Sequence, residues 1–216
     1  MNIGQQMNES MTLQRQSHTK NIAFFLLWLA INIGGWVLLT AVFQSMDPSG
    51  LSDNLVYIAF CVIGFSIGIF QWLVLKQRFA MARYEWILAS ALGLTLGMIG
   101  SVWTLLLDLY IVKTPPSSPI LHWDPLIGGA IFGLALGICQ GIVWRPRLDR
   151  IMVWVVVNVL GWSLGMFLPQ LIVFFLFDVV DLRSTTSFYT IFQVAFAAIV
   201  TGVGLVWFLR EQHDLD

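Results

Sequence analysis

Six long apolar runs, separated by short polar breaks, occupy almost the whole chain after residue 21: 22–43, 54–75, 86–107, 125–144, 151–177 and 188–209. Each is 20 residues or longer and none contains Asp, Glu, Lys, Arg or His. At about 1.5 Å rise per residue, about 20 apolar residues cross the roughly 30 Å hydrocarbon core of a bilayer. The pattern therefore predicts an all-α integral membrane bundle of six transmembrane helices. Several ends carry local signals. Asp124-Pro125 reads as an N-cap followed by proline at the first helical position, and Arg145-Pro146 stops the fourth run. Asp53 and Ser187 are placed to cap the second and sixth helices, and Pro169 inside the long fifth run predicts tilt or a kink. Residues 1–21 are polar and predict a disordered tail; 211–216 form a short acidic one.

Small and polar residues interrupt the apolar runs in a repeating order. Gly129, Gly133, Gly137 and Gly141 follow one another at intervals of four, a glycine zipper forming one nearly bare ridge on a helix where another backbone can approach closely. Gly137 is expected to be intolerant of leucine, and Leu136, off the ridge, is expected to tolerate change. Gln140 follows Gly137 by three residues, and the same order occurs as Gly64-x3-Gly68-x2-Gln71 and, decayed, as Ala198-x3-Gly202-x2-Leu205. The odd runs share a second template: Trp28-x3-Asn32-x2-Gly35, Trp86-x3-Ser90-x2-Gly93 and Trp154-x3-Asn158-x2-Gly161. Gly165 extends the small-residue face of the fifth run. These offsets predict three tandem two-helix units, approximately 22–78, 86–147 and 151–210. Each starts and returns on one side, so the units have parallel topology about an axis near the membrane normal.

The templates have a physical reason. Lipid tails are as apolar as leucine, so helices in a bilayer associate through close packing and polar contacts rather than by hiding apolar surface. Glycine permits the approach, and Asn32, Ser90, Asn158, Gln71 and Gln140 can then hydrogen-bond between helices. The runs GFSIGIFQWLVLKQRF and WILASALGLTLG, repeated as GLALGICQGIVWRPRL and WVVVNVLGWSLG, resemble a group of uncharacterised multi-pass membrane proteins of cyanobacteria and related bacteria. That resemblance implies a bacterial membrane and carries over no activity, substrate or catalytic residue.

Composition agrees: 58% of residues are hydrophobic and 11% charged, against roughly 45–50% and about 25% in soluble domains. A formal net charge of -1 gives no reason to expect a nucleic-acid partner. Arg15, Lys20, Lys76, Arg78, Arg83, Arg145, Arg147, Arg150 and Arg210 fall on one side of the predicted bundle, with Lys113 and Arg183 on the other. The positive-inside rule then places both termini in the cytoplasm, and the resemblance implies a bacterial inner (plasma or thylakoid) membrane. Trp28, Trp86, Trp144, Trp154 and Trp207 fall near the cytoplasmic boundary and are expected to form an interfacial belt.

Candidate chemistry is sparse. Gln71, Gln140, Asn32 and Asn158 are the candidate ligand-binding residues, since amides within a bilayer can bind a polar solute; the competing reading is that they join helices. Asp47, Asp53, Asp108, Asp124, Asp178 and Asp181 could together form an acidic mouth on the outer side, but helix capping and the positive-inside bias already account for most of them. His122 with Asp108 is a weak metal pair, and no metal or cofactor is expected. Cys61 and Cys139 lie at different depths on different helices, so no bridge is expected. No span offers an ionisable group, and Ser66, Ser90, Ser101 and Ser163 have no base beside them, so no enzymatic activity is expected. The expected role is a non-enzymatic structural or accessory subunit contacting lipid and other membrane proteins or further copies of itself. The alternative is a small permease or binding subunit for an uncharged or lipophilic solute such as a quinone, lipid or pigment.

Overall fold

The structure, a computed structural model, describes residues 19–38, 41, 53–79, 83–107, 124–144, 148–176 and 186–213. They form six α-helices, α1 (Thr19–Leu38), α2 (Asp53–Leu75), α3 (Arg83–Leu107), α4 (Asp124–Gly141), α5 (Leu148–Leu176) and α6 (Thr186–His213), with a 3-10 turn at Ile142–Trp144. No strand occurs among the described residues. Segments within α1, α3, α4, α5 and α6 are long and apolar enough to cross a membrane; in α2 the apolar stretch with described side chains is Cys61–Leu75, most side chains before it lying outside the described residues. The described part of α2 begins at Asp53 and that of α4 at Asp124, the residues expected to cap them, and α6 begins at Thr186, one residue before the expected cap Ser187. Pro169 is accommodated inside a continuous α5, where its missing N–H costs one backbone hydrogen bond that membrane helices tolerate when the position is packed, as Pro169 is.

The distribution of side chains is that of a bundle in lipid. Leu26, Ile58, Val62, Leu92, Leu96, Met152, Leu160 and Val203 are exposed, while Asn32, Gln71, Ser90, Gln140, Asn158, Ser163 and Thr201 are buried. In water this arrangement leaves apolar area uncovered on every helix; in a bilayer the hydrocarbon covers it.

Glycine contacts give the order of packing. A Cβ on Gly64 would stand 2.7 Å from Ala91 Cα, and one on Gly68 3.0 Å from Ile87 Cα, so α2 and α3 run antiparallel. Gly93 faces Leu136 and Gly97 faces Phe132, which sets α3 against α4 in the same sense. The closest seam is α4 on α5: Gly129 faces Trp162 and Ser163, Gly133 the Asn158 carbonyl, Gly137 Val155, and Gly141 Ile151. Gly161 and Gly165 then meet Ala197 and Gln193 of α6, and Gly202 of α6 meets Phe25 and Trp28 of α1. Because Asn32 bonds to Gln71, each helix touches its sequence neighbours and the sixth returns to the first. Leu136 corrects one expectation: it is 5% exposed, wedged against Gly93, and is not a tolerant position.

Two apolar clusters fill the bundle, one on each side of a polar layer. At the basic end, near Lys76 and Arg78, lie Phe24, Trp28, Val74, Leu75, Phe79, Trp86, Trp154, Leu205 and Phe208. At the opposite end lie Ile63, Ile67, Leu94, Phe132, Leu136, Trp162, Val194 and Ala197. The expected tryptophan belt is corrected here. Trp28, Trp86 and Trp154 are fully buried, with Trp86 and Trp154 rings 6.1 Å apart, and only Trp207 of the described side chains in that set is exposed. The side chain of Trp144 lies outside the described residues. Each buried indole precedes a buried polar residue by four positions, so helical periodicity turns both to the bundle interior.

Candidate functional site

The amides of the apolar runs are the candidate ligand-binding residues, and the structure brings most of them together. Gln71 Nε2 donates to Asn32 Oδ1 at 2.7 Å, and Gln140 Nε2 donates to Ser90 Oγ at 2.9 Å. These two pairs are joined by Gln140 Nε2 to Gln71 Oε1 at 3.2 Å, with a long contact of 3.5 Å from Ser90 Oγ to the same oxygen. Asn32 Nδ2 donates back to the Trp28 carbonyl at 2.8 Å. Four helices are thus tied through one network, and all four side chains are 7% exposed or less.

Asn158 stands apart from it. Its Nδ2 donates to the Trp154 carbonyl at 2.9 Å, the same local bond that Asn32 makes, but the position matching Gln71 and Gln140 on α6 is Leu205, which is completely buried and offers no amide. One turn earlier Thr201 supplies the polar contact of α6. Its Oγ1 donates to the Ala197 carbonyl at 2.8 Å and accepts from Trp28 Nε1 at 3.2 Å, linking α6 to α1. Sequence reasoning missed this pair; the signal was the four-residue spacing that puts Trp28 on the face of Asn32. Thr201→Val removes the acceptor while keeping the shape. We expect a loss of about 1 kcal/mol, read as a fall of about 2–4 °C in melting temperature in detergent.

The space among the amides is small. Asn32, Gln71, Gln140 and Asn158 border a cavity of about 20 Å³, also walled by Trp28, Trp36, Trp154 and Trp162, with room for about one water molecule. A larger cavity of about 420 Å³ lies toward the opposite end, bordered by Trp36, Met98, Phe132, Trp162, Met166 and Gln193 together with the first residues of α4. The two share Trp36, Trp162 and Val194 as walls. Trp36 and Trp162 meet edge to face at 5.9 Å between centroids, and Phe132 lies 4.3 Å from Trp162.

The other candidates contribute little. Cys61 and Cys139 are free thiols, and Cys61 Sγ lies 3.4 Å from Thr95 Oγ1. Ser66 and Ser101 hydroxyls donate to the Val62 and Met98 carbonyls of their own helices, an arrangement that uses up the proton a nucleophile would have to lose to a base. Among the described residues no group of three or more His, Cys, Asp or Glu side chains is placed to hold a metal ion. Asp47, Asp108, Asp178, Asp181 and His122 lie outside the described residues, as does the side chain of Asp53.

No protein-family model, curated protein or solved structure matches the chain.

Proposed function

We propose that this chain is a non-catalytic structural or accessory subunit of a membrane assembly. Its six helices cross the bilayer as three tandem hairpins around an axis near the membrane normal, with both termini on the cytoplasmic face of a bacterial inner membrane. The nine-to-two distribution of Lys and Arg supports the orientation.

The observation that carries the reading is the mutual bonding of Asn32, Gln71, Ser90 and Gln140. A solute site keeps polar groups available to the solute, whereas these amides spend their hydrogen bonds on one another, around a space of about 20 Å³. A small permease or binding subunit whose uncharged or lipophilic solute sits at Gln71, Gln140, Asn32 and Asn158 is correspondingly disfavoured. Glycines that bring α4 and α5 into backbone contact add to the same picture, since they suit a bundle that holds one packing arrangement.

Purification in mild detergent, with native mass spectrometry of the intact particle, tests the reading. Other membrane proteins, or further copies of this chain, should travel with it at fixed stoichiometry. A lone chain that retains an uncharged or lipophilic solute, and loses that solute when Gln71→Leu is introduced, would return the permease reading.

A further inference from the structure

We propose that the 420 Å³ cavity at the end of the bundle opposite Lys76 is a binding site for an uncharged lipophile bearing a flat ring and a hydrogen-bond acceptor. The size falls in the roughly 300–1,000 Å³ range of small-molecule sites. Its inner wall is aromatic: Trp36 and Trp162 pack edge to face, and Phe132 lies against Trp162. Met98 and Met166 flank these rings. Ring faces and thioethers favour a flat π-system over a flexible chain, because stacking and sulfur–aromatic contacts add to the area buried.

The polar groups at the wall narrow the class further. Ser101 Oγ donates to the Met98 carbonyl and Thr104 Oγ1 to the Ser101 carbonyl, so neither hydroxyl has a proton left for a ligand and neither contributes to holding its acceptor. Gln193 supplies an amide that can donate to a carbonyl. No Lys, Arg or His borders the cavity among the described residues, and the one ionisable group there, Asp124, is acidic, which disfavours an anion. Beneath the aromatic wall lie the amides and then the buried indoles Trp28, Trp86 and Trp154, so the cavity is closed toward the basic end and its ligand is held rather than passed through. This site is separate from the amide network, so it stands or falls apart from the accessory-subunit reading.

The test uses the full chain in lipid nanodiscs and titrates decyl-benzoquinone, whose ring and carbonyls represent the class, reading the quenching of tryptophan fluorescence. Saturable quenching is expected in the wild type. Met98→Trp fills the cavity and should raise the half-saturation concentration at least tenfold; Leu96→Trp, on the exposed side of α3, should leave it within twofold. Gln193→Leu should weaken the quinone about fivefold and leave unaffected the affinity of decylbenzene, which does not quench and is read by its competition with the quinone. Quenching that rises without saturating, or equal half-saturation in the two tryptophan variants, overturns the site. Decylbenzene displacing the quinone with an affinity equal to the quinone's own removes the role of the carbonyl, and decane doing so makes the cavity an acyl-chain groove; either overturns the ligand class. Should Met98→Trp fail to fold, an unchanged quinone titration in Gln193→Leu overturns the proposal by itself.

Discussion

Gly133→Leu is expected to abolish assembly of the helical bundle, and Gly133→Ala to destabilise it by about 1–3 kcal/mol. A Cβ at residue 133 meets the Asn158 carbonyl oxygen and carbon at less than contact distance, with Val159 Cα 2.8 Å away. All three are backbone atoms of α5, which no rotamer change can move. The two helices must separate, and that separation loosens the contacts of Gly129 and Gly137 along the same seam. In lipid nothing replaces those contacts, because acyl chains fill the gap without the shape complementarity of a paired helix. Gly34 is the internal control: an added Cβ there meets nothing within 4 Å, so Gly34→Ala should be neutral or slightly stabilising through helix propensity alone. Size-exclusion elution and melting of the three variants read the difference.

Gln71→Leu is the second large effect. Gln71 donates to Asn32 and accepts from Gln140, so it sits between the pair from α1 and α2 and the pair from α3 and α4. Replacing it leaves Asn32 Oδ1 without its donor in a site with no bulk water, and an unsatisfied buried group costs about 1–3 kcal/mol. The loss should exceed that of Thr201→Val, which disconnects one indole N–H whose helix keeps its other contacts. Gln71→Glu discriminates further: a carboxylate accepts where Gln71 now donates, so it should be at least as damaging despite its matching shape. Thermal melting in detergent measures all three.

Much of this organisation is legible in the residues. The runs free of charge give the helices to within a few positions, because the length needed to cross hydrocarbon is fixed by the rise per residue. Intervals of four between glycines identify the α4 face that meets α5, since only a missing side chain lets two backbones come that close. Asn32, Gln71, Ser90, Gln140 and Asn158 stand out because amides and hydroxyls inside lipid need partners.

What spacing along one helix leaves open is the direction of that face relative to the other five. Whether Gln140 meets Gln71 or a solute depends on azimuths set by the whole assembly. The same gap explains the tryptophans. Depth alone suggests a belt for Trp28, Trp86 and Trp154, but the four-residue step to Asn32, Ser90 and Asn158 assigns them to the interior, and extending the step reaches Trp36, Leu94 and Trp162. These inward stripes of α1, α3 and α5 hold the basic-end cluster, the polar layer and the aromatic wall of the larger cavity. Leu205 is an opposite case: a position where the template calls for an amide carries a leucine, and the nearby Thr201 takes over the polar contact on a different helix pair.

The central claim is that the buried amides serve one another, and a double-mutant cycle between Gln71→Leu and Gln140→Leu measures it most directly. Melting of the wild type, both single variants and the double variant in one detergent gives the coupling energy. Polar contacts inside membranes average about 0.6 kcal/mol and reach about 1.7, and the account expects a value in that range, with the double variant less damaged than the sum of the singles. Strict additivity of the two losses would contradict it.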